Sequence, residues 1–296
     1  MFRPLLWGNM DRLFKFGNRT LLLMFAASPA LFAQIIGPVQ PQKKQGVLDA
    51  HKIVALSVAA TERSWEARDH YTYMVKDEDR RLDSQGHVKS QEVSVTKMIM
   101  VNGGHFDQLM EHDGKVPSAE DQRKRDEAIE KQRKETPAER DARMAKDQDN
   151  RAFLRDVIDA FDFHIAGEEF VDGRAAYVLE VTARPGYSAH GKYGKFLSKV
   201  GGKLWIDKQD YGWIKLDGEV TQAFLMGLFV ARVQRGSHIV MEQMPVGDGV
   251  WVPKRVEVRA SARIFFVKSF EMDRIFTYSE YLPSADNSYA AGSANK

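Results

Sequence analysis

Between His105 and Asp113 the chain carries five side chains able to bind a metal or move a proton: His105, Asp107, Glu111, His112 and Asp113. Imidazole and carboxylate ligands around a divalent ion would activate a water for hydrolysis. On a strand His105 and Asp107 share one face. His112 and Asp113 sit by a turn and join them only if the strand bends. The spacing fixes no third ligand, so a solvated hairpin is expected rather than a metal site. The second candidate is Ser237 beside His238. Adjacent strand residues point to opposite faces, so this hydroxyl and imidazole are not expected to bond each other. No G-x-S-x-G elbow and no H-E-x-x-H pair occurs. The absence of cysteine excludes disulfides, thiol catalysis, thiolate metal sites and a lipidated N-terminal Cys. The chain therefore reads as a non-enzyme with no metal and no other cofactor. A metal-dependent hydrolase built on His105 and Asp107 is the least favoured alternative.

Composition narrows the partners. A chain of 296 residues with 43% apolar residues can bury a sizeable core. A net charge of +2 with no basic stripe offers no surface for nucleic acid. Arg12, Lys15 and Arg19 precede the short apolar run Thr20 to Ala33. That pattern predicts a secretory signal peptide over residues 1–33, cleaved after Ala33 or Ala30, with Met10 as an alternative start. The run is too short for a comfortable membrane span. Residues 34–46, with Gly37, Pro38 and Pro41, read as a linker.

The elements that must position any site follow from periodicity. Val47 to Arg68 has Ile53, Leu56, Ala60 and Ser64 at helical spacing, with Asp49 able to cap the start. Strands follow, turned at Asn102-Gly103, a dipeptide suited to the positive φ angles of a type I′ turn. Val93, Val95, Ile99 and Val101 are expected on one face. From Ser118 to Arg151 the chain holds ten basic and ten acidic residues. Ser118 with Asp121, and Thr136-Pro137-Ala138-Glu139, read as the capped starts of two helices. The first lacks an apolar stripe and is expected to be solvated. The end of the second, through Leu154, Val157, Ile158 and Phe161, is expected to dock on the sheet. Strands resume around Asp172-Gly173 and continue to Tyr281. Val250, Val252, Val256 and Val258 alternate with Trp251, Pro253, Arg255, Glu257 and Arg259, as in an antiparallel sheet with one wet face. Residues 283–296 read as a disordered tail. The expected fold is α+β: roughly ten strands in one curled antiparallel sheet, an unclosed half-barrel over residues 47–282, wrapped on the N-terminal helix, with a charged helical insertion at 118–160.

The stretches "GGKLWIDKQDYGWIKLDGEV" and "GDGVWVPKRVEVR" resemble the periplasmic outer-membrane lipoprotein carrier superfamily (LolA-like), and "VNGGHFDQLMEHDGKVPSAED" continues the likeness more loosely. The motifs are sheet and turn residues. The resemblance implies an unclosed antiparallel barrel over helices and a hydrophobic cavity for a lipid or an acylated lipoprotein, in a periplasmic protein. The charged segment Ser118 to Arg151 is not part of the small carriers, and no individual family site transfers to a position here. On this basis the expected cavity lining is Tyr177, Leu179, Val181, Leu204, Ile206, Ile214, Leu216, Phe224, Leu228, Val256 and Val258. Phe224 to Phe229 would form an apolar lip, with Arg232 and Arg235 at its rim for head-group phosphate. Burying one sixteen-carbon chain is worth roughly 12–13 kcal/mol, so a carrier needs a comparable apolar lining. Periodicity leaves open whether the helix fills that face. The expected molecule is a monomer that meets an inner- or outer-membrane protein. The alternative is an envelope sensor with the charged helices as a docking arm.

Overall fold

The computed structural model describes residues 49–284 apart from 84, 152, 188–195, 227–230, 248 and 265–267. The proposed signal peptide and linker, and most of the tail, lie outside these residues. Helix α1 spans Ala50–Arg68, and the Asp49 side chain caps it by accepting from the His51 N–H. Three strands follow: β1 Tyr71–Leu82, β2 Val88–Val101 and β3 Gly104–His112. The charged segment forms α2 Ala119–Arg133 and α3 Pro137–Arg151, and a third helix, α4 Phe153–Ala160, comes after it. Both expected caps form: the Asp121 N–H donates to Ser118 Oγ, and Thr136 and Glu139 bond reciprocally.

The remaining strands are β4 Phe161–Val171, β5 Arg174–Ala183, β6 Val200–Asp207, β7 Trp213–Val220, β8 Phe224–Met226, β9 Ala231–Val233, β10 His238–Pro245, β11 Trp251–Ile264 and β12 Lys268–Pro283. Asn102 and Gly103, and likewise Asp172 and Gly173, all take positive φ, as the turns require. Strand β12 reaches one residue into the segment read as a tail, and the Ser284 N–H donates to His70 O at 2.6 Å.

The sheet runs β3-β2-β1-β12-β11-β10-β7-β6-β5-β4, antiparallel throughout, with β8 and β9 as a hairpin off β11. It is an unclosed half-barrel with edges β3 and β4. The first strand pairs with the last, so β1 and β12 join the two ends of the described chain. The chain leaves one edge at β3 and re-enters at the other edge through α2, α3 and α4. The charged helices are thus the connection between the two edges.

Strand register lines up an apolar rib across seven strands: Ile165, Leu179, Leu204, Leu216, Met241, Val256 and Phe276 are successive cross-strand partners. Two clusters form on this inner face. In the first, Ala50, Ile53 and Val54 of α1 pack on Leu179 and Ile206, with Tyr177, Leu204 and Trp213 beside them. The second contains Tyr73, Met98, Met241, Val256, Val258, Met272, Phe276 and Tyr278, and its members all come from strands. A third, smaller cluster joins Val181 to Phe161 and Leu197.

Two expectations change, and one is refined. Val93, Val95, Ile99 and Val101 keep the alternation of one β2 face, but the face turned to the strand-only cluster is the other one, with Thr96 and Met98 buried opposite Val75 and Tyr73. Ile214 does not share a face with Leu204, Ile206 and Leu216. A bulge opposite Trp205/Ile206 turns it outward, where it packs with Ala176, Val178, Trp205 and Trp251. Trp251, expected on the wet face, is among the most buried side chains.

Candidate functional site

The motif residues that carry the family likeness meet on the outer side of the sheet. Asp207, at the end of β6, is buried and accepts a two-pronged contact from Arg174, 2.6 Å from Nε and 3.0 Å from Nη2. It also accepts the N–H groups of Gln209 and Asp210, closing the turn to β7. Trp251 Nε1 donates to Asp210 at 2.9 Å, and Arg174 lies 5.2 Å from the Trp251 ring. Gly212 is required there: a Cβ would stand 2.0 Å from Trp251 Nε1. Burial pushes the Asp207 carboxyl up, but Arg174 and the two N–H donors outweigh it and hold the group below the usual carboxylate range. The Asp207 and Asp210 carboxylates are directed at Arg174, Trp251 and turn N–H groups of the protein itself, which makes the knot structural.

The inner face holds the second constellation. From its middle onward α1 buries polar residues three or four apart: Ser57, Thr61, Ser64 and Arg68. Thr61 and Ser64 donate back to Ser57 O and Ala60 O at 2.8 Å, and Ser64 Oγ accepts the Trp251 N–H at 3.0 Å. Arg68 is different. It is 4% exposed, and Nε and Nη1 find no acceptor among the described residues. Tyr73 is 1% exposed, and its hydroxyl is also without a partner. Tyr73 stacks on Tyr281 at 4.9 Å and lies 6.2 Å from Tyr278 and 6.3 Å from His105. Tyr281 donates to Pro253 O at 2.7 Å. Burial pushes all three phenols up, while the nearby Arg68 charge opposes that shift in each. Asp107 acts the other way on Tyr73 and Tyr278. Sequence reasoning placed Arg68 at the helix end but missed this site. Its only signal was a cation on the same stripe as Ile53, Ala60 and Ser64.

The expected lining residues are dispersed. Leu179 and Ile206 lie under α1 with Tyr177 and Leu204; Leu216, Val256 and Val258 belong to the strand-only cluster; Val181 is in the third cluster; Ile214 faces out. Phe224 lies on the β8 hairpin, its ring 6.4 Å from Phe196, and Leu225 is exposed. Leu228 and Phe229 lie outside the described residues. Arg232 and Arg235 are exposed beside that hairpin. A cleft of about 760 Å³ opens at one end of β5 and β6, with a mixed lining that includes Val181, Tyr187 and Val200 beside Arg184, Lys199 and Glu219.

The catalytic candidates do not assemble. His105 Nδ1 sits 3.6 Å from Asp69, and His112 Nε2 sits 3.6 Å from its neighbour Asp113. Among the described residues no three His, Cys, Asp or Glu side chains converge where a metal ion could be held. Ser237 bonds with Ser261, while His238 Nε2 lies 2.5 Å from Asp217 Oδ1.

No family model and no curated protein matches the chain. Solved structures do. An outer-membrane lipoprotein-sorting protein domain from Vibrio parahaemolyticus is 10% identical over 79% of this chain and 94% of that one, with a TM-score of 0.33. A LolA superfamily protein from Nitrosomonas europaea is 10% identical over 81% and 95%, with a TM-score of 0.27. The MucA/MucB complex of Pseudomonas aeruginosa matches at 11% identity over 80% and 100%, with a TM-score of 0.22.

Proposed function

We propose that the protein is a secreted periplasmic binding protein that holds the acyl chain of a lipid or an acylated protein on the inner face of its half-barrel, without catalysis. The observation that carries this reading is the rib from Ile165 to Phe276. Seven apolar side chains in register make a strip long enough for an acyl chain, and α1 supplies apolar partners to only one of its two clusters. Three methionines, Met98, Met241 and Met272, sit in the other, and their unbranched side chains repack around ligands of varied shape. The β8–β9 hairpin, with Phe224 and Leu225 beside Arg232 and Arg235, is the proposed rim.

Native mass spectrometry with lipid extraction tests the reading. A lipid or acylated peptide at near-unit stoichiometry is expected. Leu216→Asp places a carboxylate on the rib at a half-buried position and should remove the lipid while leaving the circular dichroism spectrum intact. A folded Leu216→Asp protein that retains its lipid would exclude the rib as the site.

A second reading, an envelope sensor, draws on the fixed placement of the charged helices. Arg143 reaches from α3 to Asn102 O at 3.0 Å and to Glu135, and Gln132 donates to Val101 O at 2.8 Å. The segment is pinned to the β2–β3 turn and would present the exposed side chains of α2 as a rigid surface for a membrane-protein partner. Reversing the exposed α2 charges should then abolish partner capture without changing lipid stoichiometry.

A further inference from the structure

We propose that Arg68 and Tyr73 form an anion-binding site that takes the carboxylate or phosphate group of an amphiphile whose chain lies on the inner-face rib. The inference rests on the binding-protein reading above and adds the charge of the cargo. A guanidinium buried without an acceptor is costly, and folded proteins pair such groups or coordinate them. Here Arg68 is 4% exposed with Nε and Nη1 unpartnered among the described residues, and the Tyr73 hydroxyl, within reach of the Arg68 charge, is a second buried donor without a partner there. Among the described residues no ion pair of Arg68 is formed, although Asp107 acts on Tyr73 and Asp69 lies beside His105 in the same neighbourhood. Nitrogen and hydroxyl donors together match an oxyanion, and a planar guanidinium suits carboxylate or phosphate.

Position supports the same ligand. Tyr73 and Tyr278 are members of the strand-only apolar cluster that holds Met98, Met241, Val256 and Phe276. The donors therefore border the apolar face on which a chain would lie. The tyrosine pair is positioned by an unusual backbone: Glu280, next to Tyr281, has φ +54° at a register shift between β1 and β12. That bulge brings Tyr281 to stack on Tyr73 and fixes the Tyr73 ring. Strained non-glycine backbone of this kind persists where surrounding structure demands it.

Calorimetric titration of the full chain with dodecanoate, dodecyl phosphate, methyl dodecanoate and inorganic phosphate tests the assignment. The two anionic amphiphiles should bind at least ~10-fold more tightly than the neutral ester, the size of one charge-assisted hydrogen bond. Arg68→Met should bring dodecanoate to the affinity of the ester, leave the ester unchanged, and raise or preserve the melting temperature. Tyr73→Phe should cost dodecanoate a few-fold and the ester nothing. Equal binding of acid and ester by the unaltered protein would overturn the anion site and leave the lipid reading standing. Inorganic phosphate binding as tightly as dodecyl phosphate, with no binding of the ester, would keep the anion site and remove the amphiphile. Binding of none of the four would remove both. A lower melting temperature in Arg68→Met would make Arg68 structural and end the proposal.

Discussion

Asp207 shows how a single side chain can organise a hairpin and the residues behind it. Its carboxylate gathers Arg174 and two turn N–H groups behind the β6–β7 hairpin. Replacing it with Asn leaves Arg174 beside a neutral group, and the loss should be about 3 kcal/mol in a urea melt. The pH dependence follows from the same contacts. The folded carboxyl is held below its unfolded value, so its stabilisation is complete above the ordinary carboxylate range, about 3.9. It is lost as pH falls through the lower, folded value. The acid limb of the stability curve should therefore flatten in Asp207→Asn; an unchanged limb would mean another group controls it. Glu280 makes an opposite case. An L side chain in the left-handed region costs roughly 1–2 kcal/mol, so Glu280→Gly should be neutral or stabilising by about 1 kcal/mol despite lying in a strand. A clear loss in the same melt would show that the Glu280 side chain, rather than its backbone, holds the bulge. Neither Asp207 nor Trp251 announced its burial in the sequence. Alternation placed Trp251 with Arg255 on the wet face, because a period of two carries no information about which outward residues another loop will cover. The type I′ turn at Asn102-Gly103 was legible, because positive φ is a local demand that Asn and Gly meet directly.

At the scale of elements, the helical segment departs furthest from its composition. Its charge balance suggested a free, solvated arm, and most of α2 is indeed exposed. Yet Gln132 is fully buried, donating to Val101 O and Gly104 O, and Arg143 is held between Glu135 and Asn102 O. These are contacts of polar side chains to backbone carbonyls, which leave no hydrophobic stripe to read. The caps at Ser118 and Thr136 were readable because capping is local. The docking was not, because its partners lie about thirty residues away in sequence. The close approach predicts a sharp response. A Cβ at Gly104 would stand 1.8 Å from Arg143 Nη1, so Gly104→Ala must expel that guanidinium. The expected loss is roughly 1–3 kcal/mol, the cost of leaving its carbonyl and carboxylate partners poorly satisfied. Arg143→Ala should cost a similar amount, and the double variant should cost little more than either single one, since both break the same latch. Additive losses would mean that Gly104 and Arg143 act independently. Because α2 to α4 carry the chain from β3 to β4, deleting Ser118 to Arg151 would remove the bridge between the sheet edges as well as any docking surface. Charge reversal on α2 is the cleaner test of a partner.

For the whole molecule, the half-barrel was legible as roughly ten alternating strands around one helix; what covers the inner face was not, since an apolar face reads the same whether a helix or a ligand lies on it. The rib members Ile165, Leu179 and Leu204 pack in one cluster with Ile53 and Val54, so the β4–β6 end of the rib is closed by α1. The strand-only cluster is buried too, with Met241 and Val256 each 6% exposed. On the binding-protein reading, an acyl chain reaches the end of the rib beneath α1 only if α1 moves against the sheet, and loading there should be gated by that motion rather than by diffusion. The anchor to loosen is Ile53, which is 0% exposed; Ile53→Ala should cost about 2–4 kcal/mol of stability. The same change should speed the association of a fluorescent fatty acid several-fold in stopped flow. Association by the unaltered protein should fall below the ~10⁵–10⁷ M⁻¹s⁻¹ usual for rigid partners, because opening precedes binding. A wild-type rate at the top of that range, unmoved by Ile53→Ala, would show that the chain never passes under α1. The exposed β8–β9 hairpin with Phe224 and Leu225 would then be the place where the acyl chain is held.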